Sequence, residues 1–203
     1  MATEKGMLIV VSAPAGCGKG TILGEILKDD KFCYSVSATT RAPRPAEVDG
    51  VNYHFMTVEE FKDLADNNGM LEYAQFCDNY YGTPRKFVEE KLNEGKDVIL
   101  EIEVQGAMIV KKNFPDAMLV FILPPSVNEL RRRLHKRGTE TDEVIEKRVS
   151  KASGEIKMAK YYDYTLVNDD LETAIEDLKA IIRAERHTIK RTQNIIEEVL
   201  ENA

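Results

Sequence analysis

Residues 13–20 read APAGCGKG, a stretch whose residue types and spacing suit a bound polyphosphate. Gly16 and Gly18 allow successive backbone N–H groups to converge on an anion, and Lys19 can extend to its outer oxygens. A helix beginning at this point aims its positive end at the same place. The match to the pattern GxxxxGK[ST] is incomplete, because Ala13 stands where the first Gly belongs and Gly20 where the hydroxyl belongs. Thr21, one place later, is the only nearby hydroxyl. The same residues also fit a glycine-containing turn with a solvated lysine, and the flanking elements decide between the two readings.

Residues 7–12 (MLIVVS) form a short apolar run rich in β-branched residues, and beyond the loop apolar residues recur at Ile22, Leu23, Ile26 and Leu27. This predicts a buried strand, a loop and a helix, which favours the phosphate cradle. Further strands are predicted at 98–102, 117–123 and 164–168, with helices at 104–112 and 126–136 and a long helical stretch from Leu171. Strands alternating with helices imply an α/β fold with a parallel sheet covered on both faces. Residues 39–94 break the rhythm with the turn-rich RAPRPAEVDG, strand candidates at 53–56 and 70–76, and helices at 58–66 and 85–92. They read as an inserted α+β subdomain. Residues 131–151 are unusually charged, with Gly138 between two helical stretches, and read as a mobile flap.

The 203 residues suffice for a real core, and 43% hydrophobic with 31% charged residues excludes a disordered or fibrous chain. No apolar run approaches the roughly 18 residues that a membrane span needs, and no exported leader is expected. Lys and Arg number 28 against 35 Asp and Glu, a net charge of −7, which disfavours nucleic acid and anionic membranes as partners. Cys17, Cys33 and Cys77 are odd in number and widely spaced, with no zinc pattern, which fits a reducing cytoplasm. His54, His135 and His187 are isolated, with no partner pattern for a base or metal site. Nothing in the sequence sets the oligomeric state.

The run at 35–55, SVSATTRAPRPAEVDGVNYHF, resembles the signature of guanylate kinases, which move a phosphoryl group from ATP to GMP. LEYAQF at 71–76, NYYGT at 79–83, LEIEVQGA at 100–107, PPS at 124–126, RRRLHKRGTET at 131–141 and VNDDL at 167–171 resemble the remaining family blocks, in family order. The resemblance covers residues 7 to about 186; the tail from His187 carries no family motif. It implies a P-loop kinase with a central parallel sheet flanked by helices, a GMP-binding subdomain at 39–94, a core of 1–38 and 95–203, and a mobile lid at about 131–151.

By the same resemblance Ala13, Pro14, Ala15, Gly16, Cys17, Gly18, Lys19, Gly20, Thr21 and Asn168 would bind ATP, with Asn168 toward adenine. Ser37, Arg41, Arg44, Tyr53 and Tyr81 would hold the GMP phosphate, while Glu72, Thr83 and Glu103 would face guanine. Lys19, Arg133, Arg137 and Arg148 would neutralise the migrating phosphoryl group, with Mg²⁺ as cofactor. Guanine offers N1–H and N2–H₂ donors and an O6 acceptor, so a carboxylate beside a hydroxyl is complementary to it and mismatched to adenine. Two arginines three residues apart in a Pro-stiffened loop suit a phosphate dianion. Without the family blocks, Arg41 and Arg44 read equally as a solvated basic loop, Glu72 as a strand residue facing water, and the flap arginines as a solvated helix face.

Departures from the family pattern are specific. The family usually has Gly at position 13 and often Ser at 15 and 20, so this loop carries the GKGT ending seen in adenylate kinases. The Mg²⁺ ligand is therefore open, with Thr21 or water as candidates. Thr83 replaces the usual Ser and Glu103 the usual Asp; both keep the functional group. Two rival functions are a noncatalytic phosphopartner-binding module, disfavoured by the retained Lys19 and flap arginines, and a related kinase for another phosphorylated small molecule, disfavoured by Glu72 and Thr83. Cys17 beside Lys19 at a helix start reads either as a reactive thiolate or as a small residue with its sulfur turned inward.

Overall fold

The computed structural model describes residues 5–76, 78–138 and 141–201. The central strand β1 (Leu8–Ser12) leads through the glycine loop into α1 (Lys19–Ile26), and β2 (Phe32–Tyr34) returns at one edge of the sheet. β1 is buried along its whole length, as expected of a strand covered on both faces. Its side chains alternate: Ile9 and Val11 enter a core with Ile22, Leu23 and Ile26 of α1, while Leu8 and Val10 enter the opposite core.

The chain then builds a second, smaller sheet from β3 (Ala38–Thr39), β4 (His54–Phe55), β5 (Met70–Phe76) and β6 (Asn79–Pro84), in the order β4-β3-β6-β5. Helix α2 (Val58–Asp66) lies between β4 and β5 in sequence. Thr57 starts this helix: its hydroxyl accepts from the Glu60 N–H, and the Glu60 carboxylate accepts from the Thr57 N–H at 2.7 Å, a reciprocal cap. Phe61 of α2 is fully buried against Ala38 and Met70. The β5–β6 register shifts between Met70 and Glu72, where the antiparallel pair is bulged.

Helix α3 (Arg85–Asn93) returns to β7 (Asp97–Glu101), which pairs with β1 in parallel and sets Glu101 opposite Val11. There follow α4 (Val104–Asn113), β8 (Met118–Leu123), α5 (Val127–Arg137), α6 (Asp142–Lys157), a 3₁₀ turn at Met158–Tyr161, β9 (Tyr164–Val167), α7 (Leu171–Arg186) and α8 (Ile189–Glu201). The main sheet is parallel throughout, in the order β2-β7-β1-β8-β9. Asp97, fully buried, accepts from the Met7 N–H at 2.8 Å and pairs with Arg186, which ties the end of α7 to the bottom of the sheet. Among the described residues no helix is long and apolar enough to cross a membrane.

The charged segment at 131–151 contains the two helical stretches expected on either side of Gly138. They are helices α5 and α6, which bury Leu130, Leu134, Ile145 and Val149 in the same core as Ile9 and Val11. Gly138, at φ 64°, ends α5 in the left-handed conformation that a helix C-cap favours.

Candidate active site

The glycine loop sits at the carboxyl end of β1, where parallel α/β sheets bind their ligands. Gly16 and Gly18 have φ of 96° and 79°, the left-handed region in which a side chain is strained. At Gly18 a Cβ would also lie 2.5 Å from the Asn168 amide nitrogen. That amide donates to the Cys17 carbonyl at 2.6 Å, so the loop is braced from behind by the segment after β9. Lys19 opens α1, and its Nζ lies 3.6 Å from Oε1 of Glu101, the last residue of the neighbouring strand.

A cavity of about 220 Å³ opens between the two sheets; its lining brings together Ser37, Arg41, Arg44, Tyr53, Glu72, Tyr81 and Glu103, with Glu101, Gln105 and Gly106 beside them. Thr83 lies just behind the wall, fully buried, and donates its hydroxyl to Glu72 Oε1 at 2.8 Å. Glu72 is 5% exposed, and burial pushes its carboxyl pKa up to about 7 even though the Thr83 hydrogen bond pulls the other way. Gly106 packs against it: a Cβ there would stand 2.6 Å from Glu72 Oε2, so a side chain at this position would have to displace the carboxylate.

The arginines are held ready by an internal counter-ion. Arg41 donates to Glu47 Oε1 at 2.8 Å, the Arg44 N–H donates to Glu47 Oε2 at 2.8 Å, and the Arg41 guanidinium stacks 5.5 Å from the Tyr53 ring. Hydrogen bonds from Arg41 and from the Arg44 backbone hold the Glu47 carboxyl below its ordinary range. Arg44 itself is 74% exposed and faces the cavity mouth. Glu103 stands at the start of α4, where Lys151 approaches both its oxygens at 3.3 Å.

Residues 5–185 match the guanylate kinase family over most of the chain. The chain belongs to that family. A guanylate kinase of Lactiplantibacillus plantarum is 52% identical over 202 residues, covering 98% of each chain, and one of Halalkalibacterium halodurans is 53% identical over 91% of each. The crystal structure of guanylate kinase from Anaplasma phagocytophilum superposes with a TM-score of 0.77 at 34% identity, covering 94% of this chain and 92% of that one.

Three of the residues at this end of the sheet make contacts within the protein. Asn168 is 5% exposed and donates one amide N–H to the Cys17 carbonyl, which supports the phosphate loop. Arg133 donates to Glu129 at 2.7 Å and to the Asn168 carbonyl at 2.8 Å, so in this conformation it braces the same segment instead of facing a phosphate. Cys17 is fully buried in the main core, which leaves the inward-facing reading of its sulfur. Arg148 is exposed on α6, and the Arg137 side chain lies outside the described residues. Ala15, Gly20 and Thr21 are exposed, Pro14 is buried, and Ala13 is half-buried against the core.

Glu101 and Glu47 were not singled out from the sequence. Glu101 was discoverable, since the last residue of a strand pairing in parallel with the strand before a phosphate loop must lie beside that loop. Glu47 carries no such signal. Alkylation under native conditions, followed by peptide mapping, should modify the half-buried Cys33 well before Cys17. Labelling of Cys17 at the rate of an exposed thiol would show that this burial does not persist. Cys77 lies outside the described residues.

Proposed function

We propose that the chain is an ATP:GMP phosphotransferase, with dGMP as a second acceptor, working in the cytoplasm on free nucleotides. The observation that carries this is Glu72, backed by the buried Thr83 hydroxyl, in the wall of a cavity that Arg41, Arg44, Tyr53 and Tyr81 also line and that reaches Lys19 through Glu101. Guanine donors would meet the Glu72 carboxylate, while Ser37, the two arginines and the two tyrosines would bind the phosphate.

An oxygen of the GMP phosphate would attack the γ-phosphorus as the bond to the β–γ bridging oxygen breaks, and ADP leaves with the bonding electrons. No covalent enzyme intermediate is required. Alignment and charge neutralisation supply the catalysis, through Lys19 and the lid arginines Arg137 and Arg148, with Arg133 joining only if closure frees it from Glu129. Residues 39–94 serve as the acceptor lobe and about 131–151 as the lid; their closure over the 1–38 and 95–203 core excludes water, which would otherwise waste ATP.

The donor set fits Mg²⁺. Thr21 is an exposed hydroxyl beside the loop, Glu101 is a carboxylate at its rim, and no cluster of three acidic or His ligands exists among the described residues. Hard oxygen donors completed by water suit this ion, which supplies charge neutralisation on the nucleotide phosphates when bound. Gly20 adds no ligand, yet a Cβ at Gly20 meets nothing within 4 Å. Gly20→Ser should therefore fold and remain active, with half-maximal Mg²⁺ activation shifted to lower concentration. A folded but inactive Gly20→Ser protein would show that this position tolerates no side chain once ATP is bound.

The decisive test is an acceptor panel of GMP, dGMP, AMP, CMP and UMP with ATP and Mg²⁺. GMP should be turned over in strong preference to AMP, CMP and UMP. Preference for another base would overturn the assignment of Glu72 and Thr83, and turnover of none would favour a binding module.

A further inference from the structure

Lys151 reaches from α6 to the rim of the acceptor cavity. Its Nζ lies 3.3 Å from both oxygens of Glu103 and 3.3 Å from Glu155 Oε1, one turn further along its own helix. Glu155 is 19% exposed, against 46% for Lys151 and 59% for Glu103, so the ammonium is anchored by a largely covered carboxylate and extends to an open one. Burial opposes the charge on Lys151, but the two carboxylates outweigh it and hold the group protonated.

Glu103 needs such a partner. It occupies the N-terminal boundary of α4 without capping the helix through its side chain, so its own element does not fix the carboxylate. It lines the cavity from an exposed position, and an exposed Glu loses rotamer freedom whenever it is ordered against a ligand. A cation fixed to both its oxygens removes part of that cost before the ligand arrives.

We infer that Lys151 is a positioning residue for the acceptor base: it orients the Glu103 carboxylate toward guanine donors, and thereby makes the lid helix α6 part of base recognition. The inference rests on the guanylate kinase reading. It also adds a consequence for the reaction. Arg148 precedes Lys151 by three positions, which on a helix makes them neighbours on one face. Docking of Lys151 on Glu103 therefore fixes the helix that carries Arg148, so occupancy of the acceptor pocket and placement of a phosphoryl-side arginine are coupled, in both directions.

An exposed ion pair contributes little in isolation. The effect belongs to the bound state, where the fixed carboxylate is used. Lys151→Met should raise the KM for GMP about three- to tenfold, through the ordering cost returned to Glu103, while kcat moves less. Lys151→Arg should restore most of the KM. In a Glu103→Gln background the Lys151→Met change should have little further effect, because its target is gone. Calorimetry should also show that a non-hydrolysable ATP analogue tightens GMP binding in the unaltered protein and no longer does so in Lys151→Met.

An unchanged KM in Lys151→Met, an equal increase in the Glu103→Gln background, or retained tightening by the analogue would each overturn the inference while leaving the enzyme reading intact. Absence of GMP turnover in the unaltered protein would overturn both.

Discussion

Lys19→Met is expected to lower kcat about 10²- to 10³-fold, the size of effect seen when one preorganised electrostatic contact to a transition state is removed. Met preserves the length and apolar stem of Lys19 but removes the charge that stands at the start of α1, where the loop N–H groups and the helix end already favour an anion. Nζ lies 3.6 Å from Glu101, which also lines the acceptor cavity, and on the proposed function charge would build at this junction as the phosphoryl group migrates. The acceptor contacts come from other elements, so the KM for GMP should change far less than kcat. Steady-state kinetics with both substrates varied decides the matter. A near-normal kcat with a raised GMP KM would place Lys19 on the acceptor instead.

Glu72→Gln should raise the KM for GMP about 10- to 150-fold, the equivalent of roughly 1.5–3 kcal/mol for a charge-assisted hydrogen bond lost in a buried site. The substitution removes the charged acceptor and turns an amide donor toward guanine's own donors. Its pH signature is more specific than its size. Burial raises the Glu72 pKa to about 7, against the opposing Thr83 bond, so near neutrality part of the protein without GMP carries a protonated Glu72 that accepts poorly from guanine. GMP binding then releases a proton, and affinity should improve as pH rises through about 7 and level off above it, with each unit below costing up to about tenfold.

The sign for stability is the reverse. A carboxyl whose folded pKa lies above its unfolded value costs nothing below the unfolded pKa, destabilises progressively as pH rises toward the folded one, and holds that cost constant above it. Glu72→Gln should therefore gain stability relative to the parent as pH rises toward 7 and keep a constant advantage above it, read from thermal melts across the range. The GMP phosphate has its own ionisation near pH 6, and the Glu72→Gln protein isolates that contribution. If its KM follows the same pH curve as the parent, the Glu72 assignment fails.

The phosphate loop was legible from sequence because it is local. A strand, two glycines that must adopt positive φ, a lysine and a helix lie within about twenty consecutive residues, and backbone sterics leave them few other arrangements. The parallel sheet was legible for a related reason, since apolar runs such as those of β1, β7 and β8 can be satisfied only between two covered faces. The strands β2, β3 and β6 were not placed: β2 and β3, three and two residues long, leave no periodic signal of their own, and β6 carries Gly82 and Pro84, which read as turn residues. In the acceptor site, residue identities from Ser37 to Glu103 followed from the resemblance, but their chemistry did not. Glu72 could equally have faced water; it is a carboxyl with a raised pKa because the fold buries it beside Gly106 of α4, and the Thr83 hydroxyl on the adjacent strand offsets only part of that burial. Asn168, Arg133 and Cys17 show the complementary limit. Sequence gives each the right chemical group near the right loop, but whether that group meets a ligand or another part of the chain depends on contacts between residues up to 151 positions apart, which only the folded packing of β9, α5 and the phosphate loop brings together.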